Sequence, residues 1–304
     1  MLKKNYNFII IPLLIASFIS SIYIYVPNLP SSIDSRLRDF MFTLRGEIKP
    51  KSDSVAIVDI DEKSLQTFGQ WPWSRDILSK ILYNLTSAEV AVIGFDIVFA
   101  EEDRTSPHKI FKKFDIKQKN IPNFDLDFSQ AIANTPTILG YQFELTNKKY
   151  INKNAPSIQT IFIEKNKKQG ENYLITAQGT ILNIPILQDS SYSSGFFNNI
   201  PDDTGIIRSI PLIISYEDEI YPSLSLETLR IGLGINKIYI NYDENGIKNL
   251  QVGDFMIPTD RYGRLLINFR GKEKTFKYIS ALDIYNNSFN KEDITNKIIL
   301  IGTS

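Results

Sequence analysis

The acids best placed for chemistry in this chain are Asp59, Asp61 and Asp96. Asp59-Ile60-Asp61 closes the apolar run from Ser54 to Asp61, and Asp96 lies inside a second apolar run from Val90 to Phe99. If both runs are parallel strands, the three carboxylates converge at the carboxyl edge of the sheet, where ligands of open α/β sheets bind. Several carboxylate oxygens suit a hard cation or another polar ligand. Short acidic side chains also cap turns and helix starts, and that plainer role is the stronger expectation for all three.

Trp71-Pro72-Trp73 holds both tryptophans of the chain. Two large rings around a rigid proline could wall a pocket for a planar or apolar ligand. They could equally lock the loop after the first strand onto the core, the commoner use of buried rings. Arg75 beside them has the planar fork that holds an anionic ligand, although an ion pair with Asp59 or Asp61 is the simpler expectation. Asp202-Asp203-Thr204-Gly205 with Arg208 reads as a hairpin turn closed by an internal Asp–Arg pair. The candidate ligand-binding set is therefore Asp59, Asp61, Trp71, Trp73, Arg75 and Asp96. No catalytic set emerges, and a metal is left unassigned.

Composition removes whole classes of function. The 304 residues carry 34 basic and 34 acidic side chains, whereas nucleic-acid binders normally show a basic excess. Cysteine is absent, so neither disulfides nor thiolate chemistry is available. Histidine occurs once, as His108 in a polar stretch, which removes most metal centres and Ser-His-Asp arrangements. No cofactor is expected.

These residues need a scaffold, and the apolar patterning supplies one. A helix from Ser74 to Leu85 joins the two apolar runs, which makes a βαβ unit and hence a parallel sheet. A short helix over Phe124–Ala133 and a third strand over Pro136–Phe143 follow. Residues 147–173 turn polar and read as an exposed excursion. Short strands, a capped helix over Tyr221–Gly232, a helix near Ser280–Asn286 and a last apolar strand Lys297–Gly302 complete the pattern. The expected fold is α/β: a mixed, largely parallel central sheet with flanking helices and an antiparallel strand excursion.

Ahead of it, Phe8 to Val26 forms about 19 uncharged residues, close to the roughly 20 of a membrane-spanning helix. Lys3 and Lys4 precede it, which predicts residues 1–7 as a cytoplasmic tail, 8–26 as a transmembrane helix and the rest as exported. A cleaved signal peptide is the weaker alternative, since Ser20-Ser21 is a poor cleavage site. Ile33, Leu37, Phe40, Met41 and Leu44 then recur at helical spacing. That helix is expected to carry motion into the membrane or to pack on the core. The chain stops two residues after the glycine that closes its last strand; domain ends usually carry more slack, so a fragment or shortened gene product is expected.

Several stretches, in order, carry a family resemblance. They are Asp34–Asp39, Ile57–Leu65, Gly69–Arg75, Gly94–Phe99, Gly195–Asn198 with Asp203–Arg208, Tyr221–Leu224, Ile267–Gly271 and Ile299–Ser304. Together they resemble the CHASE2 family of extracytoplasmic sensor domains over residues 31–304. The resemblance implies an inner-membrane, periplasm-facing input domain, followed by further membrane helices and a cytoplasmic output such as an adenylate or guanylate cyclase or a histidine kinase. Asp59-Ile60-Asp61 also has the look of a haloacid-dehalogenase phosphatase start, but Glu62-Lys63-Ser64 follows where that family places a glycine. The function expected is signal sensing, and because sensors of the kind the resemblance implies usually act as dimers, a homodimer through Ile33 to Leu44 is expected. The alternatives are an exported metal-dependent hydrolase using Asp59, Asp61 and Asp96, and an envelope interaction module with a protein partner.

Overall fold

A computed structural model of the chain describes residues 6–25, 28–146, 154–168, 170 and 172–303, with side chains for all of these except 6, 7, 22, 23 and 28–31. Lys3, Lys4, Val26, residues 147–153 of the expected excursion and Ser304 lie outside the described residues. The chain divides into two compact units: Met1–Lys49 with Phe269–Lys272, and Pro50–Asn268 with Glu273–Ser304.

The first unit holds α1 (Tyr6–Tyr25) and α2 (Asn28–Arg45). The Arg45 guanidinium lies 4.6 Å from the centre of the Phe42 ring, and that ring meets Phe269 edge-on. Ile48 donates its N–H to the Arg270 carbonyl at 2.7 Å. The stripe Ile33, Leu37, Phe40, Met41 and Leu44 is more than half exposed throughout.

The anchor expected over residues 8–26 is corrected. Among the described residues, no helix is long and apolar enough to cross a membrane.

The second unit alternates strands and helices from its start. In order it runs β1 (Val55–Asp59), α3 (Glu62–Phe68), α4 (Arg75–Ser87), β2 (Val92–Phe95), α5 (Pro107–Lys113), α6 (Phe124–Ala133) and β3 (Thr137–Glu144). Next come β4 (Ile161–Lys165), β5 (Gly179–Ile181), α7 (Pro185–Gln188), β6 (Ser193–Phe196), β7 (Ser209–Pro211), β8 (Ile213–Tyr216), β9 (Glu219–Pro222) and α8 (Leu224–Gly232). The last elements are β10 (Lys237–Asp243), β11 (Gly246–Val252), β12 (Phe255–Pro258), β13 (Arg264–Leu266), β14 (Lys277–Ser280), α9 (Ala281–Tyr285) and β15 (Ile298–Gly302).

Six strands form a parallel sheet in the order β14-β1-β15-β2-β3-β6, and β5 pairs antiparallel with the far end of β3. The mixed α/β class is as expected. The neighbours are not. β1 and β2 do form a βαβ unit, but the last strand, β15, lies between them, pairing Val55 with Ile298 on one side and Phe95 with Ile301 on the other. A strand buried among parallel neighbours reads as a continuous apolar run, and Ile298-Ile299-Leu300-Ile301 is such a run.

Side chains alternate across the sheet. Ala56, Val58, Ile93, Phe95, Leu139 and Ile301 face a core shared with Leu82, Leu85, Phe128 and Ile284 of the helices. Val92, Ile138 and Ile298 face the other way, against Leu224 and Ile231 of α8. Beyond α8, Leu226 joins Ile238, Ile240, Leu250 and Val252 of a second sheet, ordered β12-β11-β10-β4. The stretch expected as an excursion thus supplies β4, which pairs parallel with β10.

Candidate functional site

A cavity of ≈ 320 Å³ opens at the carboxyl edge of the parallel sheet, on the face that α8 covers. Its floor is Ile57 of β1, Tyr278 of β14 and Leu300 of β15. Phe196 and Phe197 wall one side, and Ser223, Leu224 and Ser225 bring the first turn of α8 to it. Asp96, the residue after β2, faces it from the sheet edge, with its backbone N–H bound to the Ile301 carbonyl at 2.9 Å.

Close approach of α8 to the sheet builds this corner. A Cβ on Gly195 would lie 2.6 Å from Leu224 Cα and 2.7 Å from its nitrogen, so only glycine lets the start of α8 rest on β6. Ser223 caps that start, its hydroxyl accepting from the Leu226 N–H at 3.3 Å.

The three acids do not converge. β15 separates β1 from β2, and each acid has a separate setting. Asp61 caps α3, accepting from the Ser64 N–H at 2.9 Å, the Ser64 hydroxyl and the Ser280 hydroxyl at 2.9 Å. Burial alone would raise its pKa, but those hydrogen bonds hold the carboxyl below its usual value. Asp59 is buried at the end of β1, opposite Gly302 on one side and Ser280 on the other. Only Asp96 enters the cavity. Among the described residues, no group of three or more His, Asp or Glu side chains is arranged to hold a metal.

Partial burial raises the Asp96 pKa, but the residue is exposed to solvent at the cavity edge, which screens the shift. A raised carboxyl pKa means that the folded state prefers the neutral form. The penalty is absent below the ordinary value of 3.8 and grows as pH rises through the folded value. Asp96→Asn is therefore expected to raise the melting temperature at pH 7 only slightly, by less than about 2 °C because solvent screens the exposed carboxylate, with the gain closing as pH falls below about 4. Thermal melts of both proteins between pH 3 and 8 check it; a destabilised variant at pH 7 would contradict it.

The tryptophans and Arg75 form a different, largely structural cluster. Trp73 is 3 % exposed, donates its indole N–H to the Gly69 carbonyl at 2.8 Å, and meets Phe68 and Trp71 edge-on. The Trp71–Pro72 peptide is cis. Arg75 is paired with neither Asp59 nor Asp61, which corrects that expectation. Its guanidinium lies 4.4 Å over Phe99, with Asp125 at 3.7 Å, and its backbone N–H binds Asp103 at 2.8 Å. Trp71, Trp73 and Arg75 line a cleft of ≈ 540 Å³ with Glu101, Glu102, Asp103 and Arg104, so an anion entering it meets three acids beside two arginines that are already engaged, Arg75 over Phe99 and Arg104 with Glu101. The hairpin pair is as expected: Arg208 binds Asp202, whose carboxyl is held well below its usual range first by the Thr204 hydroxyl and further by Arg208.

The chain matches the CHASE2 domain family over residues 13–304. It belongs to that family, whose members are extracellular sensor domains of signalling proteins. No curated protein matches the chain, and no solved structure does. Sequence reasoning selected Asp96 from the cavity and missed its other walls. The signal was present: Ile57–Leu65, Gly94–Phe99, Gly195–Asn198, Tyr221–Leu224 and Ile299–Ser304 each place at least one residue on this one cavity.

Proposed function

We propose that the domain senses a small molecule bound in the cavity at the carboxyl edge of its parallel sheet. What carries the reading is the meeting there of five separate family stretches around a concave, mostly apolar space, the usual character of a small-molecule site. Ser223 to Ser225 give α8 a direct contact with any occupant. A ligand that favours one seating of α8 over another shifts the domain between two states, which is the requirement for a signal. Family membership is consistent with a periplasmic position, and a nucleotide cyclase or histidine kinase is the output we propose such a sensor controls.

A thermal-shift screen of small metabolites on the full chain tests the site. Hits are expected to stabilise the native chain but not Ser225→Trp, whose bulk blocks the cavity from an exposed position. The variant's own melting temperature should change by less than about 2 °C. Hits that stabilise both proteins equally would place sensing elsewhere.

Homodimerisation along α2 accompanies this reading, supported by the exposed stripe from Ile33 to Leu44. Sedimentation should show a dimer that Leu37→Asp with Met41→Asp dissociates; a monomeric native chain would remove the proposal.

A further inference from the structure

The charge of the cavity is as informative as its shape. Asp96 is the one ionisable acid or base among its lining residues apart from the Tyr278 phenol; among the described residues, no lysine, arginine or histidine lines it. The Asp96 carboxylate receives no hydrogen bond and no ion pair from the described residues. Elsewhere in the unit, buried or half-buried acids are answered: Asp61 by Ser64 and Ser280, Asp202 by Arg208, Glu227 by Arg230. Asp96 lies exposed at the cavity edge, so its carboxylate is open to an occupant, and a charged group set in an apolar cleft commonly serves binding.

The other fixed polar groups of the wall are already spent. Asn198 uses both ends of its amide on Phe143, accepting from its N–H and donating to its carbonyl, each at 2.8 Å. The Ser223 hydroxyl is taken by the start of α8. Asn199, Ser225 and Thr303 are exposed residues of the lining. A ligand therefore meets apolar surface from Ile57, Phe197 and Leu300, and one unpaired negative charge.

Resting on the cavity being the sensing site, we propose that its ligand is a small organic cation: a primary amine on a compact apolar body, with the ammonium bound by Asp96. Pairing supplies charge-assisted hydrogen bonds to the carboxylate, while the body displaces water from the rings and aliphatic side chains.

The test titrates the full chain at pH 7 with three probes of matched shape, 2-phenylethylamine, 2-phenylethanol and 3-phenylpropionate, by calorimetry. The amine is expected to bind at least about tenfold more tightly than the alcohol, and the carboxylate most weakly. Asp96→Asn, an isosteric change, should reduce the amine to the level of the alcohol, while Asp59→Asn leaves the preference intact. Equal binding of amine and alcohol, or preference for the carboxylate, overturns the ligand class while Ser225→Trp still abolishes binding and the sensing site stands. Failure of all three probes at millimolar concentration, together with screening hits indifferent to Ser225→Trp, overturns both the class and the site.

Discussion

Replacing Glu227 with alanine is expected to destabilise the fold by about 3–5 kcal/mol, the usual cost of leaving a buried charge without its partner. Glu227 is fully buried and Arg230 is 3 % exposed. They form two parallel hydrogen bonds, Nε to Oε2 at 2.8 Å and Nη2 to Oε1 at 2.6 Å. The carboxylate also receives the hydroxyls of Ser193 on β6 and Thr160 just before β4, and Arg230 donates a further bond to the Ile235 carbonyl. One acid thus ties α8 to the parallel sheet and to the approach of the second sheet. Alanine strands a guanidinium and two hydroxyls in a dry site. Urea denaturation should show the loss, and Glu227→Met with Arg230→Met should cost less than either single change, because no charge is left behind. A single variant within about 1 kcal/mol of the native chain would show that the pair is not desolvated as described.

Gly195→Ala is expected to cost about 2–3 kcal/mol, at the upper end of overpacking effects. The new methyl would stand 2.6 and 2.7 Å from the Leu224 backbone and 2.9 Å from Ser223. Backbone cannot rotate aside as a long side chain can, so the first turn of α8 must lift from β6. Because Ser223 and Leu224 also wall the cavity, the same change should weaken ligand binding by about tenfold or more. Gly302→Ala is the control for stability alone, since Gly302 also lines the cavity: its methyl would meet Asp96 Cβ at 3.4 Å, an ordinary contact. Chemical denaturation of the two variants and ligand titration of Gly195→Ala check the account; equal stability of the two would contradict the close seating of α8.

Local structure was legible where the pattern is local. The helix over Phe124–Ala133 falls where it was read, and β1, α4 and β3 lie within a few residues of their predicted bounds, because apolar period and capping residues act over one or two turns. The helix read from Tyr221 begins instead at Leu224, since Tyr221 and Pro222 complete the hairpin of β8 and β9. Strand order was not legible. The run Ile298–Ile301 announces a buried strand, but its position between β1 and β2 depends on pairing across more than two hundred residues. For the same reason, the three acids were expected at one point and stand at three. Arg75 illustrates the limit for side chains: its partner Asp125 lies on α6, two elements further on than any periodicity argument reaches. The cavity was legible only as scattered motifs, since Asp96, Phe197, Ser223 and Leu300 share nothing in sequence except that the fold brings them together.

The most direct measurement of the central claim is crystallographic: crystals of the full chain soaked with a library of small fragments. Bound fragments are expected in the cavity among Asp96, Phe197 and the first turn of α8. Fragments collecting only in the Trp71–Trp73 cleft, with the cavity empty across the library, would contradict it.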